Sequence, residues 1–342
     1  MSAYDGATLA ERMRNHFGGS TEHLYGVLVR ELAQDWDRGG VVREILSGRE
    51  QAPPGDMVQL RLLAGIHRIV LRGDAPELSS FYPSVGGTGD RYAVWSVLEP
   101  VLRSHAVELR AALDVAPQTN EVGRSIALLA GLSEVVRRSG IRRLRLLEPG
   151  ASAGLNLLVD QFRFEGEGWV AGPAEAHLVL DRCAAPGFVP ESFEVIERRG
   201  CDLAPFEAAS SSGEVHLRSF IWPHMPERDG RLVAALQTLR EHPVVIDRAG
   251  AAGWVREQLA QPAPVGVLTV VWHSITRQYW PAREYAAMLA AIDDARLRMP
   301  IARVALEDPD PLPRAESWGP QIEVDDEVIG HCTHHGPPLE LV

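Results

Sequence analysis

Glu148, Gly150, Ser152 and Gly154 stand in one stretch, Leu144 to Phe162, reading LRLLEPGASAGLNLLVDQF. An apolar run ends in an acid, a turn of small residues follows, and the spacing predicts a helix over Ala153–Phe162. Two chemistries suit these residue types. Small residues let the backbone approach a ligand held over a helix N-terminus, with the acid taking hydroxyl groups. The same letters, G-x-S-x-G, would also put Ser152 on a strained turn as a nucleophile.

Further acids follow later apolar runs: Asp181 after His177–Leu180, and Asp202 after Phe193–Glu197. His224, in Trp222-Pro-His-Met, and His273 end two more. An imidazole that titrates near neutrality can take a proton from an acceptor group, although each is equally readable as a hydrogen-bonded loop residue. Asn120, Glu121 and Arg124 precede a helix, where they either close over a ligand or cap and brace it. Tyr82 and Ser84, in a glycine-rich loop from Phe81 to Asp90, suit a connector or a substrate loop. His331-x-x-His334-His335 invites a metal reading, but it lies beside Gly336-Pro-Pro338 rather than on a helix that would align ligands, so a polar turn is preferred and no metal is expected.

Composition narrows the field. The chain has 342 residues, 45% of them hydrophobic, enough for one large or two ordinary domains. Its formal charge of −12 carries no basic block, so nucleic acid is not an expected partner. All 34 basic residues are arginine, which excludes chemistry that needs a lysine amine, including Schiff bases and the G-K-[ST] phosphate loop. Three cysteines without a C-x-x-C pair suggest buried thiols. No apolar run approaches the ~20 residues of a membrane helix and the start resembles no signal peptide, so a cytoplasmic protein with a small-molecule substrate and no membrane partner is expected.

The positioning elements fall into two regions. Residues 1–139 show helical periodicity: Leu9, Met13 and Phe17; then Leu24, Leu28, Leu32 and Trp36 behind a Ser20 cap; then Leu60, Leu63, Ile66 and Val70 after Asp56. Helices over Arg91–Leu113 bend at Pro100, and another runs to Arg138 from a Thr119 or Asn120 cap. Residues 140–342 alternate candidate strands (Arg143–Leu147, His177–Leu180, Phe193–Glu197, Val215–Ile221, Val265–Trp272, Arg303–Leu306) with helices (Ala153–Phe162, Arg228–Glu241, Ala249–Gln261, Ala282–Met299). That alternation predicts an α/β fold, a doubly wound, mostly parallel sheet, with the helical region and the Phe81–Asp90 loop covering its cleft. The tail from Gln321 reads as an antiparallel pair.

A hydrolase elbow follows several strands, because an earlier loop must supply an oxyanion donor; this turn follows the first. Asp308 with His331, His334 or His335 gives triad partners in suitable order, yet the serine-hydrolase reading ranks below a ligand turn. The pattern of an acid after each of three strands then resembles class I S-adenosylmethionine-dependent methyltransferases, whose sheet is Rossmann-like. That resemblance implies S-adenosylmethionine as cofactor, with Glu148, Gly150, Ser152, Gly154 and Asn156 at the turn, Asp181 on the ribose (Glu197 if the register shifts) and Asp202 on the adenine. It also places residues that hold the methyl acceptor near Trp222, His224 and His273. Pro149 and Ser152 depart from the pattern, where an aliphatic residue and a glycine are usual. Over nearly its full length the chain resembles the bacterial domain-of-unknown-function family 2332, through Tyr82-Pro-Ser-Val-Gly86, Gln118 to Arg124, Gly150 to Asn156, Trp222-Pro223, Trp272-His-Ser274 and His334-His-Gly336. A methyltransferase is the expected function, and a non-catalytic nucleotide- or metabolite-binding protein is the alternative.

Overall fold

The computed structural model describes residues 8–118, 120–181, 183, 187–261, 263–309 and 319–342. These form two units, one from Met1–Thr119 with Ser211–Gly230 and one from Asn120–Ser210 with Arg231–Val342. The sequence boundary at 139/140 therefore differs from the contacts, which group the helix before the first strand with the sheet and return a later helix to the first unit.

The first unit is helical. α1 (Leu9–Asn15) opens on a capping box between Thr8 and Glu11, and α2 (Leu24–Arg38) is capped by the His23 ring rather than by Ser20. α3 (Val41–Ile45), α4 (Val58–Leu71), α5 (Pro76–Ser79), α6 (Trp95–Ser104) and α7 (Ala106–Ala112) follow. The break between the last two lies at His105, not at Pro100, which stays inside α6. Their apolar stripes share one core that includes Met13, Leu28, Leu32, Leu63 and Ile66.

The second unit contains α8 (Ser125–Ser139), β1 (Arg143–Pro149), β2 (Arg163–Gly166), β3 (Trp169–Ala171), β4 (Val179–Leu180) and β5 (Glu194–Asp202). Next in the chain comes α9 (Ser211–Ser219), which belongs to the helical unit. It takes up Val215–Ser219 of the expected strand Val215–Ile221, with Leu217 buried. α10 (Pro226–Glu241), β6 (Val245–Arg248), α11 (Ala251–Ala260), β7 (Val267–Ser274), α12 (Ala282–Arg296), β8 (Ile301–Glu307), β9 (Gln321–Val324), β10 (Glu327–Thr333) and β11 (Gly336–Leu341) complete the order.

Among the described residues, eight strands form one sheet in the order β11-β10-β9-β8-β7-β1-β5-β6. The run β8-β7-β1-β5-β6 is parallel, and the tail adds three antiparallel strands rather than a pair. β1, β7 and β8 are almost wholly buried, as expected of parallel strands covered on both faces. α11 and α12 pack on the face carrying Leu147, Cys201 and Val271. α8 covers the other, where a Cβ on Gly131 would lie 2.2 Å from Val304. β2, β3 and β4 form a separate small sheet. His177–Leu180 is therefore not the second strand of the main sheet; β5 is.

Candidate functional site

The chain enters the sheet at β1, moves outward through β5 and β6, and then crosses to the opposite side of β1 for β7 and β8. Loops leaving β1 and β7 diverge at that reversal, and open α/β sheets bind ligands in the crevice this leaves at the carboxyl ends.

The turn after β1 holds three left-handed residues, Gly150 (φ 74°), Ser152 (φ 51°) and Gly154 (φ 71°). A Cβ on Gly154 would meet Ile246 at 2.6 Å, and one on Gly150 would meet Thr276 at 3.0 Å. Backbone conformation and packing thus require both glycines, whatever ligand is present. Four of the turn's amides are also committed. Gly150 N and Ala151 N donate to Cys201 O at 2.8 and 2.9 Å, Gly154 N donates to Ala151 O at 2.7 Å, and Ser152 N donates to Asp202 Oδ2 at 3.0 Å. The expected helix is a 3₁₀ stretch, Leu155–Gln161, broken by non-helical dihedrals at Leu158. With these four amides taken and no regular helix behind them, the turn lacks the row of amides and the helix dipole of a phosphate loop.

Glu148 and Asp202 point to the same face of adjacent strands, since Glu148 is level with Gly200 and side chains alternate along β5. Glu148 is buried, and its Oε2 has no hydrogen-bond partner among the described residues. Burial pushes its carboxyl up to about 8, and the Asp202 charge acts in the same direction; the Trp272 indole, Arg124 and Asn156 oppose them. Asn156 is itself fixed by Ser125 Oγ, which donates to Oδ1 at 2.8 Å. A strongly shifted carboxyl with an orphaned oxygen at a strand end marks a functional candidate. Asp202 Oδ1 also accepts Ala204 N at 2.9 Å, which leaves each of its oxygens room for a further donor.

The opposite face of the same edge carries His273, whose Nδ1 donates to Glu307 Oε1 at 2.8 Å. Both side chains are buried, and His273 Nε2 has no hydrogen-bond partner among the described residues. Burial raises the Glu307 carboxyl, but the His273 hydrogen bond and the Thr276 and Arg277 amides outweigh it and hold it below the usual carboxylate range. The sequence reading stopped this strand at Leu306 and missed Glu307. The rule that found Glu148, an acid at a strand's carboxyl end, would have found it.

Other sequence candidates are placed differently. Asp181 is exposed after β4, in the small sheet, so the reason for setting it on a ribose is lost. Glu197 lies mid-strand and pairs with Arg145 at 3.1 Å. Asn120 Nδ2 donates to Ala151 O at 3.0 Å, tying the segment before α8 to the turn. Thr119 lies outside the described residues. Glu121 caps Gly123 N at 3.1 Å and faces His335 at 3.3 Å, while Arg124 donates to His334 O and Ser274 O at 3.0 and 3.3 Å. These residues brace the helix and the tail hairpin. His334 pairs instead with Asp308 at 2.9 Å, so adjacent histidines turn to different acids rather than to a common centre.

Tyr82, Ser84, Trp222 and His224 belong to the helical unit. Tyr82 is buried, and Ser84 Oγ lies 2.7 Å from Nε2 of His67, a fully enclosed ring whose pKa burial lowers to about 4. Trp222 packs edge-on against Phe17, and His224 stacks on His23 with ring centroids 4.0 Å apart. Because α9 precedes them in place of a strand, neither Trp222 nor His224 ends a sheet strand, and their assignment to acceptor chemistry loses its basis.

Ser152 fits a turn residue better than a nucleophile. No strand precedes β1 among the described residues, so no earlier strand loop supplies an oxyanion donor. A fluorophosphonate probe is expected to leave Ser152 unmodified by mass spectrometry. Stoichiometric labelling that disappears in Ser152→Ala would overturn this.

Beyond Asp202 lies a cleft of about 540 Å³, lined by Ala153, Phe206, Leu239, Val244 and Ile246 among others. Its size is ordinary for a small-molecule site. No helix among the described residues is long and apolar enough to cross a membrane.

Fold and site together define a mixed α/β protein with a large, mostly parallel sheet whose carboxyl edge carries the buried Glu148, the half-buried Asp202 and a buried histidine–carboxylate pair. The chain belongs to the family described as an uncharacterized protein conserved in bacteria (DUF2332), whose model matches residues 12–341. Comparison with curated proteins and with solved structures finds no match.

Proposed function

We propose that the sheet unit is a Rossmann-like, S-adenosylmethionine-dependent methyltransferase domain acting on a small-molecule acceptor. Its support begins with strand order. Relabelled by entry into the sheet, β6-β5-β1-β7-β8 reads 3-2-1-4-5, the arrangement of a doubly wound sheet around its reversal point.

The observation that carries the choice of ligand is the state of the turn. Four of its amides, those of Gly150, Ala151, Ser152 and Gly154, are taken by Cys201 O, Ala151 O and the Asp202 carboxylate, and Glu148 stands behind it with an orphaned oxygen. An edge with two same-face acids and committed amides disfavours dinucleotide phosphates and suits a cationic adenosyl ligand without phosphate. Asp202 would hold the ribose hydroxyls, because it ends the second strand of the main sheet. The Phe206–Ile246 cleft would take the adenine, and Glu148 would face the cationic end. When bound, the sulfonium supplies an electrophilic methyl group. The protein then has to orient the acceptor and exclude water, so positioning contributes most of the rate.

Calorimetry on the purified chain tests this reading against the non-catalytic alternative. S-adenosylmethionine and S-adenosylhomocysteine are expected to bind with Kd on the order of 1–100 μM, and NAD at least about tenfold more weakly. Tight NAD binding with no adenosyl-ligand heat would replace the proposal with a nucleotide-binding one.

A further inference from the structure

The His273–Glu307 pair is more heavily built than a packing contact requires. Among the described residues, Glu307 Oε1 accepts from four donors: His273 Nδ1 at 2.8 Å, Thr276 N at 3.1 Å, Arg277 N at 3.3 Å and Thr276 Oγ1 at 3.4 Å. The last three converge because the chain turns sharply at Ile275, which takes φ 50°. A β-branched residue there is strained, and such strain gathers where geometry serves a site. The strained turn thus fixes the carboxylate, and the carboxylate fixes the ring with its proton on Nδ1.

That orientation leaves Nε2 with a lone pair. The ring is fully buried beside Trp280 and Tyr285, at centroid separations of 5.5 and 5.8 Å, and no described group donates to Nε2. A network selected only for stability would gain by satisfying this nitrogen. It stands at the carboxyl end of β7, next to β1, on the face opposite Glu148, and its neighbour Trp280 would lie 3.3 Å from a Cβ on Gly150 in the turn.

We infer that His273 Nε2 receives the proton of the methyl acceptor, which is therefore a neutral O–H or N–H nucleophile, with Glu307 as the positioning residue. This rests on the methyl-transfer reading above. As the acceptor's X–H bond breaks, its proton joins Nε2. Its electron pair forms the bond to the methyl carbon, and the pair of the broken C–S bond stays on sulfur. Imidazolium formed there is stabilised by Glu307. Among the described residues, Tyr285 from α12 faces the ring, and burial raises it above its usual range; Arg277 lies over Tyr285, and Arg303 and Glu323 act on Tyr285 from further along the sheet.

The test combines a spectroscopic and a kinetic readout on the full chain. In ¹⁵N-histidine-labelled protein, with the His273 signal assigned by its loss in His273→Gln, the ring is expected at neutral pH with Nδ1 protonated and Nε2 bare. Glu307→Gln is expected to move the proton toward Nε2. Release of S-adenosylhomocysteine from S-adenosylmethionine is then followed with a panel of phenols, alcohols, amines and thioethers. Turnover is expected with an O–H or N–H acceptor. It should fall about 10²–10⁴-fold in His273→Gln with loss of the acidic limb of the pH profile, and at least about tenfold in Glu307→Gln, while calorimetric affinity for S-adenosylhomocysteine is unchanged. A native Nε2–H tautomer, a wild-type rate in His273→Gln, or turnover confined to thioethers would overturn the inference with ligand binding intact. Absence of any adenosyl-ligand binding by the wild-type chain would instead overturn the methyl-transfer reading, and this inference with it.

Discussion

Glu148→Gln is expected to stabilise the sheet unit at alkaline pH and to leave it nearly unchanged at pH 4–5. The folded carboxyl titrates near 8, against 4.5 for the unperturbed group, because burial disfavours its charge. A raised folded pKa means that the native state binds this proton more tightly than the unfolded chain does. The stability it confers is fully present below about pH 4.5, falls as pH rises, and is lost once pH passes 8. Glutamine cannot ionise, so the variant escapes that loss. The difference should grow between pH 5 and 9 to roughly 3–5 kcal/mol, an upper range because opening of the site would relieve part of it. Scanning calorimetry of both proteins at pH 5, 7 and 9 checks this, and parallel Tm curves would show that Glu148 is not held neutral. Function should change in the opposite sense. A cationic ligand beside Oε2 would ionise Glu148 and release a proton, so the wild-type binding enthalpy should vary with the buffer's ionisation enthalpy. That dependence should vanish in Glu148→Gln.

Much of this edge was legible from residue types because parallel strands buried on both faces must read as apolar runs. Arg143–Leu147, Phe193–Glu197, Val265–Trp272 and Arg303–Leu306 all lie on or overlap strands of the main sheet. The misreadings have physical causes. Val215–Ile221 alternates like a strand, but tertiary packing makes most of it a helix in the other unit. β6 has only four residues, is half exposed and includes Asp247 and Arg248, so it gives almost no apolar signal. Losing β6 and inserting His177–Leu180 kept the strand count plausible while shifting Asp202 from the second strand of the main sheet to the third. The glycines misled in another way. Gly154 reads as a space for a ligand, but its Cβ position is filled by Ile246. What the sequence could not give was the pairing of distant groups: Asp202 with the Ser152 amide, and His273 with Glu307.

Correcting the strand order changes which acid should matter, and Asp202→Asn is expected to show it. Asp202 ends β5, beside β1, so a ribose held at this edge meets Asp202 rather than Asp181 or Glu197. The asparagine side chain keeps an oxygen for Ser152 N or Ala204 N, so the turn should stay folded while the charge is lost. Charge-assisted hydrogen bonds to a diol contribute roughly 1.5–3 kcal/mol, so S-adenosylhomocysteine should bind about 10- to 150-fold more weakly. Asp181→Ala and Glu197→Ala should bind it like wild type. Inosyl analogues sharpen the test, because they keep the ribose and change only the base. If Asp202 serves the ribose, adenosyl and inosyl ligands weaken together in Asp202→Asn and the gap between them stays; if it serves the adenine amine, the gap narrows. Undiminished affinity in Asp202→Asn, with loss in Asp181→Ala, would mean that the small sheet rather than β5 supplies the ribose acid, and the ligand position assigned to the main sheet's edge would have to be abandoned.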